Sequence, residues 1–258
     1  MAVNTVNSPA PTSRRERQRE ATSTEIRDVA RRQLGVTGAA ALSLRAVARE
    51  MGLSAPALYR YYDDRNALLV ALIVDAYTSL CEQVEAARDA QPEVDATARL
   101  AAGGLAYRQW GIDRPHEFAL VFGGPVPGFS VPDDGPTHDA GGRFGQLFLE
   151  LFGATGAGRL DGPPADTRDP DLDQALSAAS QQCGLAMGAG PMQLFVSCWG
   201  RLHGLISLEV FGHVAWVGMP DPGALYRAEL VDQLRGLGLQ LDLPALDAVR
   251  RRTAAATG

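Results

Sequence analysis

The chain has 258 residues, 46% of them hydrophobic and 21% charged, with a mean hydropathy near zero. This composition excludes collagen-like, mucin-like and wholly disordered chains, and the length suits one small domain joined to a larger one. Charge is unevenly divided: 11 arginines against 7 acids give residues 1–65 a balance of +4, while 13 against 23 give the remainder −10. Only the first quarter is suited to meet a polyanion.

No run approaches the roughly 18 uninterrupted apolar residues of a spanning helix. The N-terminus lacks an apolar stretch before its arginines, so no secretory leader is expected. Cys81, Cys183 and Cys198 lie far apart, which fits a reducing cytoplasm better than a disulfide framework or zinc knuckle. The cytoplasm is therefore the expected location.

Residues 1–13 are small, polar and Pro-containing, and are expected to be disordered. Arg14, Arg15, Arg17 and Arg19 are expected to form a basic arm that adds salt-sensitive, non-specific affinity for a polyanion. From Thr24 the spacing of Ile26, Val29, Ala30 and Leu34 predicts a helix, closed by Gly35 and Gly38. Ser43 then caps a short helix with Leu44, Val47, Ala48 and Met51 on one face, and Gly52 takes a left-handed turn. Ser54 caps the next helix, with Pro56 in its first turn and Leu58 and Tyr62 facing inward. Asp63 or Asp64 opens a fourth helix running to about Ala90. Beyond Gln91-Pro92, helices are predicted at 95–111, 115–123, 140–153, 171–187, 191–212 and 222–236. Glycine, proline and aspartate mark 124–139 and 155–170 as loops, and the RRRTAAATG tail reads as frayed. Every predicted element is a helix. The fold class is all-α, with a disordered extension (1–13), a DNA-binding domain (14–66), a ligand-binding and dimerisation domain (67–240) and a tail (241–258).

Function is carried by 43–65, SLRAVAREMGLSAPALYRYYDDR. Two short helices meeting across Met51-Gly52-Leu53-Ser54, with small Ala48 at their crossing, have helix-turn-helix spacing. Ala55, Pro56, Ala57 and Arg60 then project toward base edges: Arg60 can fork onto guanine, and the small apolar side chains can touch thymine methyls. Ser43, Tyr59, Tyr61 and Arg65 lie where hydroxyls and charges reach phosphates. The same spacing also suits a plain helical hairpin in a core. The Tyr59-Arg60-Tyr61 run, in the only basic region, favours DNA binding.

The stretch AVAREMGLSAPALYRYYDDRNALLVAL resembles the N-terminal domain of TetR-family transcriptional regulators, most closely over about residues 20–75. AYRQWGIDRPHEFALVFGGPVPG and WGRLHGLISLEVFGH are similar to the C-terminal domain of a subgroup with a Trp-x-x-x-His-Gly signature. The resemblance implies a symmetric homodimer, with three DNA-binding helices and a larger helical ligand domain per subunit. By position, it puts DNA contacts on Ser43, Arg45, Ala55, Pro56, Ala57, Tyr59, Arg60, Tyr61 and Arg65. Two departures stand out. Arg65 replaces the family's usual lysine, and Asp64 beside it should weaken a phosphate contact.

The 191–212 segment is apolar almost all round, as a helix buried on two sides would be. One side suits its own domain and the other a symmetry mate, with Gly200, His203, Gly204 and Ser207 at the contact and the 171–187 helix completing a four-helix bundle. A central helix of a monomer fits the same pattern. Aromatic residues recur through the second domain, and such stripes form either filled core or a pocket. Trp110, Phe122, Phe148, Cys183, Met187 and Trp199 are the expected pocket walls. Few charges (Arg108, Glu150, Arg201, His203) look buried there, which favours an apolar or amphipathic small-molecule effector.

No cofactor or metal is expected. His116, His138, His203 and His213 show no paired ligand spacing, and His116-Glu117 is followed by Leu120 where a zinc-protease motif needs histidine. The glycines at 153–158 lack the ending of a phosphate loop. No catalytic constellation can be assembled, so the chain reads as a regulator rather than an enzyme. The expected partners are double-stranded operator DNA, a small effector and a second copy of the chain, with no membrane. A repressor released by its ligand is the leading reading. An activator, a ligand-independent regulator, and a helical enzyme using the second domain remain the alternatives.

Overall fold

The computed structural model describes residues 13–132, 134–164, 167–183 and 187–257. Among these there are eleven α-helices and no strands. They are α1 (Arg14–Thr37), α2 (Leu44–Glu50), α3 (Ala55–Leu58), α4 (Arg65–Asp89), α5 (Ala96–Asp113), α6 (Pro115–Phe122), α7 (Pro136–Ala154), α8 (Pro170–Gln182), α9 (Ala189–Val210), α10 (Gly223–Gly236) and α11 (Leu243–Thr257). The chain forms two compact units. The first holds the residues up to Leu72 together with Gly124–Ser130, and the second holds Ile73–Gly123 and the chain from Val131 onward.

In the first unit α1 begins ten residues earlier than its apolar spacing suggests. Ser13 Oγ accepts from the Glu16 backbone N–H at 3.2 Å, and Glu16 Oε2 accepts from the Ser13 N–H at 2.7 Å. This reciprocal box satisfies two end donors and starts the helix at Arg14. Arg14, Arg15, Arg17 and Arg19 therefore sit on helical turns rather than on a loose arm. The rest of the extension expected to be disordered, residues 1–12, lies outside the described residues. Gly35 is helical, and Gly38, at φ 75°, ends the helix.

The core of this unit is Ile26, Val29, Ala30 and Leu34 of α1 against Leu42, Leu44, Val47, Ala48, Leu58, Tyr62, Leu68, Leu69 and Leu72. Two polar ties hold α1 to its neighbours. Glu50 accepts from Arg32 and Gln33 at 3.1 and 2.9 Å, and the Tyr62 hydroxyl lies 3.0 Å from Ser23 Oγ. Gly52, at φ 67°, supplies the left-handed residue between α2 and α3, and the Leu53 N–H returns to the Ala48 carbonyl at 2.9 Å.

In the second unit α5 is the central helix, and its small residues allow close crossings. A Cβ on Gly111 would stand 3.0 Å from both Ile206 and Phe118. Around it pack Ala76, Leu80, Val84, Trp110, Phe118, Phe144, Phe148, Ile206, Tyr226, Leu230 and Leu234. Although α4 has the length and hydropathy of a membrane span, its apolar residues are core in both units.

The chain end departs from expectation. Residues 243–257, RRRTAAAT included, form α11, opened where Asp242 Oδ1 accepts from the Ala245 N–H at 2.8 Å. Leu246 and Val249 are fully buried in the core. Buried Gln91 joins α11 as well, donating to Val249 O at 3.3 Å and to Thr253 Oγ1 at 3.1 Å and accepting from Arg252 at 2.7 Å. The 171–187 helix stops at Gln182, and its expected residues 184–186 lie outside the described ones. The 124–139 loop gives way to α7 at Pro136, and its 124–130 part belongs to the first unit.

Candidate DNA-binding face and ligand cavities

Ser54 Oγ accepts from the Ala57 N–H at 3.3 Å and starts α3, with Pro56 in the first turn where a missing N–H costs nothing. The helix ends after one turn, and Tyr59, Arg60 and Tyr61 continue as a turn. Leu58 and Tyr62 point into the core. Pro56, Tyr59 and Arg60 are exposed, Ala55, Ala57 and Tyr61 partly so. On α2, Arg45 is exposed and Ser43 half-buried, with no side-chain capping bond from Ser43. Neither Arg45 nor Arg60 has a side-chain hydrogen-bond partner among the described residues, so both guanidiniums are open to solvent.

Arg65 is placed differently from the phosphate contact expected of it. Its guanidinium donates to the carbonyls of Leu42 at 3.2 Å, Ala39 at 2.8 Å, Ala40 at 3.3 Å and Pro127 at 3.4 Å. It thereby closes the carbonyl end of the 3-10 turn at Ala39–Ala41 and clasps the 124–130 segment. Asn66 adds a long contact to the Gly128 carbonyl. Of the two aspartates, Asp64 caps α4, accepting from the Ala67 N–H at 2.8 Å.

In the second unit most of the aromatic residues form filled core. Tyr107 lies against Phe118, Phe122, Phe144 and Phe148, with ring centroids 5.2–6.4 Å apart. Trp110 is wholly buried and donates to Ser79 Oγ at 3.2 Å, which places it in the packed core. Cys183 is half-buried at the end of α8. Met187 packs over Gly158 and against the Phe152, Ala157 and Leu237 cluster. Phe148 and Trp199 do border free space. They flank a void of about 50 Å³ whose other walls include Gly104, Phe195, Tyr226 and Gln233. Phe148, Phe195 and Trp199 also form one side of a wider cleft of about 750 Å³, together with Phe122, Tyr77 and Thr137. Gln233, buried in a wall of the void, was not singled out from sequence, because a glutamine on a polar-looking helix carries no pattern signal.

Two of the charges expected near the cavity, Arg108 and Arg201, are paired. Arg108 makes a two-pronged bond to Glu209 with both side chains mostly buried, joining α5 to α9. Arg201 pairs with Glu229, and Glu150 is exposed. His203 turns inward rather than toward a symmetry mate: its ring stacks on Trp199 at 5.0 Å and its Nδ1 meets Tyr107 Oη at 2.6 Å. Trp199 and His203, four residues apart on α9, thus form one stacked pair, and burial lowers the histidine pKa. Gly200 is exposed and Gly204 partly exposed, and a Cβ on either would meet nothing within 4 Å. Beside them α9 exposes Val196, Trp199, Leu208 and Phe211, and Trp216 beyond its end is 86% exposed.

The model of the TetR family of bacterial regulatory proteins matches residues 26–72, and that of the tetracyclin repressor-like C-terminal domain matches residues 100–234. The HTH-type transcriptional regulators Mb1846 of Mycobacterium bovis and Rv1816 of Mycobacterium tuberculosis are each 35% identical over 216 residues. Each alignment spans 82% of this chain and 90% of the relative. The crystal structure of the putative regulatory protein SCO4313 is similar at a TM-score of 0.70 and 35% identity, covering 86% of this chain and 99% of the other. A protein of unknown function from Rhodococcus sp. RHA1 shares the fold, with a TM-score of 0.62 at 22% identity over 90% of this chain and 98% of its own. With a helix-turn-helix unit and a larger helical unit each matched by its own model, the chain belongs to the TetR family of transcriptional regulators, which are not enzymes.

Proposed function

We propose that this regulator is a repressor that binds a palindromic operator as a homodimer and leaves it when a small apolar or amphipathic molecule occupies the second unit. The observation that carries the DNA reading is the free face of the helix-turn-helix. Pro56, Tyr59 and Arg60 are exposed there, flanked by Arg45, and neither guanidinium is committed to an internal partner. Arg60 reads base edges, Ala55, Pro56 and Ala57 touch thymine methyls, and Ser43, Arg45, Tyr59 and Tyr61 hold phosphates. Arg65 acts indirectly, by fixing the start of α4.

The homodimer forms through α8 and α9. Support comes from Val196, Leu208 and Phe211, exposed along α9 with Gly200 and Gly204 bare beside them, a face that a two-fold axis would pair with itself. Gly200, Gly204 and Ser207 lie at this contact, and His203 supports it from behind. Two half-sites then lie about one helical turn (~34–36 Å) or a multiple apart. The effector works by population shift, binding more tightly to the conformation that no longer fits both half-sites, with a differential on the order of a few kcal/mol.

Sedimentation equilibrium at micromolar concentration tests the assembly. The native chain is expected at twice its monomer mass, and Leu208→Asp at the monomer mass with unchanged helicity and lost operator binding. A native monomer, or a Leu208→Asp dimer, contradicts the proposal.

A further inference from the structure

The wider cleft of the second unit differs from the small void beside it in size and in the polar groups it leaves open. At about 750 Å³ it falls within the roughly 300–1,000 Å³ of small-molecule sites, whereas the void of about 50 Å³ has room for a few waters. The rings of Phe122, Phe144, Phe148, Phe195 and Trp199 border the cleft, and its described lining holds no Asp, Glu or Arg. A charged group held among these rings would have no counter-ion. The room itself is made on α7. Gly141, Gly142 and Gly145 all border the cleft, and a Cβ on Gly142 or Gly145 would meet nothing within 4 Å. Bare helix backbone beside aromatic rings is a surface against which a flat molecule can lie.

Four side chains bring polar atoms to this lining. Thr137 Oγ1 is sealed from solvent, and His138 is exposed with its ring 3.7 Å from Asp139. The other two are Tyr77 and Trp199. Neither the Tyr77 hydroxyl nor the Trp199 indole N–H has a hydrogen-bond partner among the described residues. The hydroxyl stands over α7, where a Cβ on Gly141 would lie 3.4 Å from it, and unlike Thr137 Oγ1 it keeps accessible surface. Burial holds the Tyr77 pKa above its ordinary value, so the phenol keeps its proton. The indole only donates and the phenol donates readily, so the open groups match an acceptor on whatever fills the cleft.

We propose that the wider cleft takes an uncharged, planar aromatic molecule of two or three fused rings, which lies along the glycines of α7 and bears a carbonyl-type oxygen that accepts from the Tyr77 hydroxyl. This rests on the reading of the second unit as an effector domain and narrows the class of effector.

Equilibrium dialysis of the full chain against fluorenone and against fluorene tests it, because the two share one tricyclic shape and differ in the carbonyl. The native chain is expected to bind fluorenone roughly fivefold more tightly, although fluorene is the more apolar. In Tyr77→Phe the preference should pass to fluorene. Gly145→Leu sets a side chain in the open space of the cleft, and it should weaken both probes by about tenfold or more while helicity is kept. Gly142→Leu serves the same test if that variant does not fold. Fluorene binding as tightly as fluorenone to the native chain overturns the proposal. So does a fluorenone preference that survives in Tyr77→Phe, undiminished binding in the folded leucine variant, or no binding of either probe at its solubility limit. DNA release is scored separately on the same samples. Fluorenone that binds with the expected preference but leaves DNA bound would defeat the effector reading and spare the ligand class. Release by fluorenone and fluorene alike would spare the effector reading and defeat the acceptor requirement.

Discussion

Tyr107 Oη lies 2.6 Å from Nδ1 of His203, joining the centre of α5 to the inner face of α9. Burial raises the tyrosine pKa far above neutrality and lowers that of the histidine, so the phenol keeps its proton and donates it to a neutral imidazole. The other ring nitrogen, Nε2, then carries hydrogen toward Ser207 Oγ, 3.4 Å away. Tyr107→Phe removes the donor from a half-buried acceptor and is expected to cost about 1–3 kcal/mol in a urea titration. An unchanged midpoint would show that the contact contributes nothing.

The same histidine predicts a pH dependence. Its folded pKa is below the ordinary value of about 6.5, so as pH falls through that value the unfolded chain takes up a proton that the folded chain resists. This contribution is intact above pH 6.5, is lost as pH drops below it, and levels off once the folded state protonates too. Urea midpoints at pH 7.5 and 5.5 should therefore differ more in the native chain than in His203→Gln. Equal differences would contradict the sign and the cause.

Arg60 and Arg65, five residues apart, should fail in different ways. Arg60→Ala removes a free fork from the exposed turn after α3, and it is expected to cost roughly 1–3 kcal/mol of discrimination between operator and altered operator with little change in stability. Arg65→Ala leaves the Leu42 carbonyl without its donor and takes the second donor from the Ala39 carbonyl, and it is expected to destabilise the first unit by about 1–3 kcal/mol while the salt dependence of DNA binding keeps its slope. A flattened salt slope in Arg65→Ala, with native stability, would return that residue to a phosphate.

Removing residues 243–258 should destabilise the second unit by roughly 3–6 kcal/mol, since Leu246 and Val249 are each wholly buried and such side chains contribute about 1.5–3 kcal/mol apiece. Gln91 would also lose its partners on α11. A truncated chain with an unchanged urea midpoint would mean that α11 is an appendage.

The helix-turn-helix was legible because its signals are local. Gly52, the Ser54 cap, Pro56 and the Asp64 cap each act within four residues, and Leu58 and Tyr62 share one helical face. Arg65 was not legible in the same way, since its carbonyl partners lie 23–62 residues away and its identity suits phosphate equally well. The early start of α1 was signalled by Ser13 and Glu16 but masked by a first turn of charges with no apolar face to bury. In α11 the run of arginines and alanines hid the short spacing of Leu246 and Val249. His203 was assigned outward because α9 is apolar all round, so periodicity gives it no preferred side. Trp110 and Gln233 show the same limit at the cavity. Which aromatic side chains fill space, and which amide is left beside a void, depends on how α5, α7, α9 and α10 pack together.

The measurement that tests the central claim most directly is selection of binding sequences from a random duplex pool by the purified chain at two salt concentrations. A palindrome with half-sites about one helical turn (~34–36 Å) or a multiple apart, enriched at both concentrations and lost with Arg60→Ala, is the predicted result. No enriched sequence, with binding that disappears at the higher salt, would contradict it and leave only the charge of a basic helical unit holding DNA.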